Sequence, residues 1–251
     1  MRIAVAGATG RIGKLAIDAI GRAGHEPVRI SRADGVDILT GDGLDEALAG
    51  VDSVIDVTNT TAQDEKETVD FFVTGTTTLL AAEQRAGVRH HVLLSIVGID
   101  GVPDNAHYQG KLAQEQTIQR QQAPATIVRA TQFFDFPLMI ASWTRQGDVV
   151  LLPPLLMQPI APADVADTLL DAALDQPHGR LPDLAGPDPQ DLVDMARRCF
   201  DARGETPVLV PGWGMPFSTS MAGTVLMPGP DARIAPTTFD EWLAAGGAND
   251  A

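Results

Sequence analysis

Short apolar runs alternate with helix-spaced apolar positions through the first half of the chain. Arg2–Ala6 is apolar without a break after its arginine and predicts a buried strand. Ile12, Leu15, Ala16, Ala19, Ile20 and Ala23 then recur at the period of a helix, which Gly24 ends. Pro27–Ile30 predicts a second strand, Val36–Leu39 a weaker third, Leu44–Leu48 a short helix and Ser53–Val57 another buried strand. A long helix follows with Val69, Phe72, Val73, Leu79 and Leu80 on one face, and then strands at His91–Ser95 and Thr126–Val128. Strands that are apolar throughout and alternate with helices predict a parallel sheet covered on both faces, with right-handed crossovers.

After about residue 130 prolines crowd in, from Pro137 to Pro189, and the pattern weakens. A helix is predicted over Asp164–Leu174, with Asp164 as its cap. Another is capped by Asp188, with Pro189 at its first position, and runs to about Arg203 with Leu192, Met195, Ala196, Cys199 and Phe200 inward. Leu181–Ala185 and Val208–Val210 are candidate strands, and Asp240–Ala245 is a terminal helix before a polar tail. Gly212–Pro230 lacks periodicity and reads as a packed loop or short helix over a pocket. With no repeat and no clean composition break, the expected fold is α/β: a Rossmann-type doubly wound parallel sheet. The expectation is one domain over 1–251, of which about 150–251 contributes a smaller substrate-binding lobe.

Charge narrows the function. The 18 Lys+Arg against 33 Asp+Glu give a net charge of −15, a field that repels phosphate backbones and anionic membranes. Nucleic acid and membrane surfaces are therefore not expected partners, whereas a bound nucleotide needs only a local helix terminus and one or two arginines. The lone Cys199 allows no internal disulfide and reads as a small buried hydrophobe in a reducing, cytoplasmic setting. No run reaches the length of a membrane span or signal core.

The chemistry begins at Gly7–Ala8–Thr9–Gly10–Arg11–Ile12–Gly13, placed between the first strand and the first helix. In a dinucleotide-binding turn the first glycine permits the tight turn, the second lets the backbone approach a pyrophosphate, and the third lets helix and strand pack closely. Gly7, Thr9, Gly10, Arg11, Ile12 and Gly13 are thus candidate cofactor contacts, with free N–H groups at the helix start for the phosphates. The second strand ends Ile30–Ser31–Arg32, where an NAD enzyme usually carries an acid for the ribose hydroxyls. Ser31 and Arg32 suit a 2′-phosphate, Arg11 offers a second cation, and Asp34 lies late in a glycine-containing loop, so NADP is favoured over NAD.

The G-x-x-G-x-x-G spacing resembles that of the short-chain dehydrogenase/reductase superfamily. The chain is similar in particular to its atypical, NmrA-like and NAD(P)H-binding reductases. The resemblance is carried by the glycine turn, Gly41–Asp42 with Leu44, the strand ending Val92–Leu93–Leu94–Ser95 with Gly98, and the helix around Lys111. Thr126–Ile127–Val128–Arg129 with Phe133, and Pro162–Ala163–Asp164–Val165–Ala166, complete it. It covers residues 1 to about 170. It implies that Asp42 meets the adenine amino group and that Thr58 and Asn59 line the ribose and nicotinamide side.

The superfamily's usual catalysis sets a tyrosine four residues before a lysine, with a serine after the fifth strand. This chain reads His107–Tyr108–Gln109–Gly110–Lys111, so His107 stands four before the lysine and Tyr108, the only tyrosine, three before. Three readings stand. Lys111 anchors the cofactor ribose and hydride chemistry proceeds without a protein acid; His107 replaces the tyrosine, since imidazole titrates in the useful range; or Tyr108 serves after local distortion. Ser95 ends the fifth strand two positions early, where Val97 holds the usual place, and is read as lining the cofactor.

His90 and His91 read as surface or packing residues without a third ligand at metal spacing, so no metal site is expected. No G-x-S-x-G elbow is present. Arg129 is assigned either to structure or to an anionic substrate, and Phe133, Phe134 and Phe136 either to a pocket wall or to the core. The leading expectation is an NAD(P)-dependent oxidoreductase acting on a small carbonyl, quinone or related conjugated molecule. Trp143, Trp213 and the Gly212–Pro230 segment would supply an uncharged wall. The rival is an NADP(H)-binding redox sensor without turnover. A nucleotide-sugar epimerase or dehydratase is weakened by the missing tyrosine. The oligomeric state is open, a homodimer being allowed.

Overall fold

In the computed structural model, which describes residues 1–214 and 216–249, the chain follows the alternation of its apolar runs. Residue 215, inside the aperiodic segment, and residues 250 and 251 of the polar tail lie outside the described residues. The first half runs β1 (Arg2–Ala6), α1 (Arg11–Arg22), β2 (Glu26–Ile30), α2 (Leu44–Leu48), β3 (Ser53–Asp56), α3 (Glu65–Ala86), β4 (His90–Ile96), α4 (Ala106–Gln121) and β5 (Ala125–Ala130). The second half begins with α5 (Phe136–Thr144), β6 (Arg145–Gln146), β7 (Val149–Leu152), β8 (Leu156–Met157) and α6 (Pro162–Leu174). It continues with β9 (Gly179–Arg180), β10 (Leu184–Ala185), β11 (Gln190–Asp191), α7 (Leu192–Arg203), β12 (Val208–Pro211), β13 (Arg233–Ile234) and α8 (Phe239–Ala244).

The main sheet has the order β13-β10-β5-β4-β3-β1-β2, with β9 also beside β5, and its pairings are parallel. Strand β1 shows why its run is apolar throughout. Ile3 and Val5 pack on the face covered by α1 and α6, while Ala4 and Ala6 pack on the face of α2 and α3. A separate core joins α5, β7, α7 and α8 through Leu138, Val150, Met195 and Phe239. This is the Rossmann-like α/β arrangement. No described helix is long and apolar enough to cross a membrane.

Local departures from the expected elements have local causes. Val36–Leu39 is no strand: Gly35, Gly41 and Gly43 take left-handed φ of 79°, 88° and 74°, so the segment coils, while Val36 and Ile38 still pack inward. Helix α7 starts at Leu192 with Asp191 as its cap, because Gln190–Asp191 stays extended to pair antiparallel with Leu156–Met157. Of the Leu181–Ala185 run only Leu184–Ala185 is strand, as β10 after Pro182, and β9 lies just before the run. Val208–Pro211 joins Val149–Leu152, a strand not expected from the pattern, in a small sheet of its own. Helix α6 is capped by Ala161, and Asp164 instead accepts from Thr237 N (3.1 Å) and Oγ1 (3.0 Å).

Candidate cofactor and active site

The glycine turn is a backbone device. Gly7 has φ +86°, and a Cβ on it would lie 2.8 Å from Val57 O; a Cβ on Gly13 would lie 2.1 Å from Gly7 O. Neither position accepts a side chain, because the obstacle is main chain that cannot move aside. At Gly10 an added Cβ meets only Gly7 O, at 3.3 Å, and otherwise open space, which leaves room for a ligand to approach the backbone. Helix α1 begins there with no side-chain cap and no acidic residue in its first turn, so its N–H groups are available to an anion. Gly7 N and Ala8 N donate to Ile30 O at 3.0 and 3.4 Å and dock the turn on the end of β2. These features fit a dinucleotide pyrophosphate. Thr9 and Gly10 are exposed at the turn, while Ile12 and Gly13 are buried beneath it.

Other predicted contacts fall around the same edge. Ser31 donates its hydroxyl to Asp34, whose carboxylate also takes Arg29 Nε at 3.0 Å. Those contacts, led by the Ser31 hydrogen bond, hold Asp34 below the usual carboxylate range. A short 3-10 turn over Arg32–Asp34 thus folds Asp34 back beside Ser31. Arg32 is exposed and has no ion-pair partner among the described residues. Arg11 does not stand with Ser31 and Arg32: its guanidinium is paired with Asp135, 124 residues away in the loop before α5. Asp42 is exposed; Thr58 N donates to Asp56 Oδ1 at 2.9 Å, and Asn59 is exposed just beyond it.

The α4 corner is built from buried side chains. Asn105 caps α4 by accepting from Tyr108 N at 3.1 Å. Gly110 lets α3 and α4 touch, since its Cβ would lie 2.6 Å from the Phe72 ring. Phe72 thereby meets both residues of interest: His107 edge-on at 5.8 Å between centroids, and the Lys111 ammonium at 5.0 Å. His107 is half-buried; burial, with the neighbouring Lys111 charge, lowers it to about 4, so it is a neutral imidazole near pH 7. Tyr108 instead faces the separate core, where Gln132 Nε2 donates to its Oη at 3.3 Å and burial pushes it up to about 12. Lys111 is only 4% exposed, donates to Gln114 Oε1 at 2.5 Å, and is lowered to about 8 by burial against the opposing pull of Asp56 and Glu115.

Ser95 is likewise committed. It is buried and donates to Glu115, which also receives Arg129 in a bidentate pair, Nε to Oε1 at 2.8 Å and Nη2 to Oε2 at 2.7 Å. Arg129 reaches Asp100 as well, so both its carboxylates come from the protein. His90 is a buried packing residue bonded to Asp175 O (3.1 Å) and Thr126 Oγ1 (2.8 Å). Phe134 is core, against Phe239 and Trp242. Phe136 and Trp143 both contact Phe217, the latter stacked at 6.4 Å with Trp143 56% exposed. The aperiodic segment seats on the turn after β4, where a Cβ on Gly98 would lie 2.3 Å from Val225 O, and Ser218 and Ser220 donate to Asp104.

Sequence reasoning did not single out Asp56, Gln114, Glu115 or Asp135. One signal was available: Asp56 is an acid inside an apolar strand run, a placement that needs a buried partner.

Comparison with known proteins agrees with this layout. The NAD(P)H-binding family model matches residues 7–176. The chain is 32% identical over 203 residues to the (4-alkanoyl-5-oxo-2,5-dihydrofuran-3-yl)methyl phosphate reductase of Streptomyces griseus, covering 74% of this chain and 68% of that protein. Among solved structures it is similar to a short-chain dehydrogenase/reductase superfamily protein of Agrobacterium tumefaciens with bound NAD (TM-score 0.71, 18% identity, 100% and 97% of the two chains). It is also similar to the triphenylmethane reductase of Citrobacter sp. complexed with NADP(H) (TM-score 0.61, 16% identity, 85% and 80%). At such identities the structures speak for the fold, and the family model and the Streptomyces relative carry the assignment. The chain belongs to the NAD(P)H-binding family of Rossmann oxidoreductase-type proteins.

Proposed function

We propose that this protein is an NADP(H)-dependent reductase that delivers hydride to an uncharged conjugated acceptor, such as a quinone or an unsaturated carbonyl compound, without a tyrosine acid. The observation that carries the reading is the α4 corner: Tyr108 is turned into the core, while neutral His107 and cationic Lys111 flank the same Phe72 ring. A bound dinucleotide supplies the hydride. Gly7, Gly10 and Gly13 receive its pyrophosphate at the start of α1, Arg32 reads the 2′-phosphate, and Thr58 and Asn59 line the ribose edge. Ser95 backs the pocket wall, and Asp42 takes the adenine end. Lys111 holds the ribose hydroxyls, and the His107 imidazole donates a hydrogen bond to the acceptor oxygen as negative charge grows there. A conjugated acceptor suits this set because its oxyanion is delocalised and takes its proton from water.

Two further observations support the uncharged acceptor. Beyond Lys111 the chain has no lysine, and Arg145, Arg180, Arg197, Arg198 and Arg233 are each held in an ion pair. Trp143, Phe217 and Phe136 offer a flat apolar wall instead. The substrate named for the Streptomyces griseus reductase carries a phosphate on a methyl group attached to an oxo-dihydrofuran ring. The conjugated ring transfers to this proposal and the phosphate does not. The second reading, a redox sensor that binds NADP(H) without turnover, is favoured by the near-complete burial of Lys111.

The test is NADPH oxidation against a panel of quinones, enones, aldehydes and diketones, beside direct titration with NADPH and NADP⁺. Turnover with quinones or enones is expected, and tight binding with none across the panel replaces the enzyme with the sensor. Arg32→Asp is expected to weaken NADPH at least about tenfold, about 1.4 kcal/mol, and to leave NADH unaffected.

A further inference from the structure

Behind the α4 lysine runs a line of buried polar groups that hydride transfer does not itself use. Lys111, Gln114, Asp56, His91 and Glu83 are 4%, 0%, 1%, 1% and 5% exposed. Lys111 Nζ donates to Gln114 Oε1 at 2.5 Å, and Gln114 Nε2 donates to Asp56 Oδ2 at 2.9 Å. The other carboxylate oxygen, Asp56 Oδ1, accepts from Thr58 N at 2.9 Å. Behind Asp56, His91 Nδ1 lies 2.8 Å from Glu83 Oε1, and His91 Nε2 lies 3.9 Å from Asp56 Oδ2.

Chemistry fixes the orientation of the amide between them. An ammonium only donates and an ionised carboxylate only accepts, so the linking side chain must accept at one end and donate at the other. Glutamine does both; glutamate, leucine or methionine cannot. Lys111 carries three N–H donors and only Gln114 takes one among the described residues, with the Phe72 ring on another side. A buried ammonium with unused donors calls for acceptors that arrive with a ligand.

We propose that Gln114 and Asp56 are positioning residues: the Gln114 amide clamps the Lys111 ammonium to the Asp56 carboxylate, which also pins the backbone at Thr58, so that both edges of the ribose site are set by one carboxylate. This rests on the reading of Lys111 as the ribose anchor. The groups that bear on the Lys111 charge are Asp56 at the end of β3, Glu115 and His107 on its own helix, and His91 on β4 with its partner Glu83 on α3.

The chain has three lysines, Lys14, Lys66 and Lys111, so the titration of each is separable in protein labelled with [13C]lysine, with Lys111→Met supplying the assignment. Two variants probe the clamp, each checked for folding by circular dichroism. Asp56→Asn keeps the shape and removes the charge; Gln114→Met keeps the length and removes the amide. The Lys111 midpoint is expected to fall by at least about half a unit in Asp56→Asn. In Gln114→Met it is expected to fall too, with NADPH binding about fivefold weaker, the effect of one lost hydrogen bond. A Lys111 titration unmoved in both folded variants overturns the clamp, whatever happens to NADPH. A moved titration with wild-type NADPH affinity in Lys111→Met overturns instead the ribose reading on which it rests.

Discussion

The glycine turn and the α4 corner stand at the same edge of one sheet and are built by opposite means. The turn is almost wholly main chain: three glycines, a left-handed φ at Gly7 and an uncapped helix start. The corner is almost wholly side chain: Lys111, Gln114, Glu115, Asp56 and Arg129 are buried together, from β3, α4 and β5. A site made of backbone is specified by a few adjacent residues. A site made of buried charge exists only when distant elements meet, because each ion needs a partner that its own segment does not supply.

Substitutions that attack one device and spare the other sharpen this contrast. The largest effect is expected from Gly13→Val, whose Cβ would lie 2.1 Å from Gly7 O and 2.9 Å from Ala8 Cα. It should destabilise the fold by about 3 kcal/mol or more and abolish NADPH binding, read by urea unfolding and fluorescence titration. Retained binding would show that the turn yields more easily than its geometry implies. Next is Glu115→Gln, which strips the buried Arg129 guanidinium of its bidentate partner and leaves it Asp100. A loss of about 3 kcal/mol is expected in urea unfolding, with the glycine turn intact and ADP-ribose still bound by the folded fraction.

A pH experiment follows in size. His107 sits near 4 in the folded protein against about 6.5 unfolded, so between those values the unfolded chain binds a proton that the native state refuses. That contribution to stability is full above pH 6.5 and is lost as pH falls toward 4. Wild type should lose about 1–2 kcal/mol more than His107→Gln between pH 7 and pH 5 in paired urea titrations. Identical slopes would place the imidazole in contact with water. The smallest stability effect is expected for Trp143→Ala, below about 1 kcal/mol for a ring that is 56% exposed, yet with a higher KM for an acceptor that stacks on Phe217. An unchanged KM across quinone substrates would move the acceptor wall away from α5.

These differences track what was legible from residue order. Gly7, Gly10 and Gly13, the five-residue strand before them and the helix after them could be placed by spacing, since each requirement is met within about a dozen positions. The departure at His107 was visible in the same way, as a count of residues before Lys111. Asp34 was set aside as late in its loop, yet the 3-10 turn brings it back onto Ser31. Arg11 read as a second cation for a phosphate and is found with Asp135. In both cases the missing information was the path of the chain.

The sequence by itself determined the alternating parallel sheet, the glycine turn between β1 and α1, the absence of a tyrosine four residues before Lys111, and the excess of acid. These follow from local periodicity, glycine stereochemistry and composition, which need no knowledge of distant contacts. Only the tertiary structure decided that Tyr108 faces the core, that Arg129 belongs to Glu115 and Asp100, and that Gln114 joins Lys111 to Asp56. The reason is physical. A side chain's protonation and its partners depend on what is packed against it, and that packing joins residues 58 positions apart at Gln114 and Asp56 and 124 apart at Arg11 and Asp135.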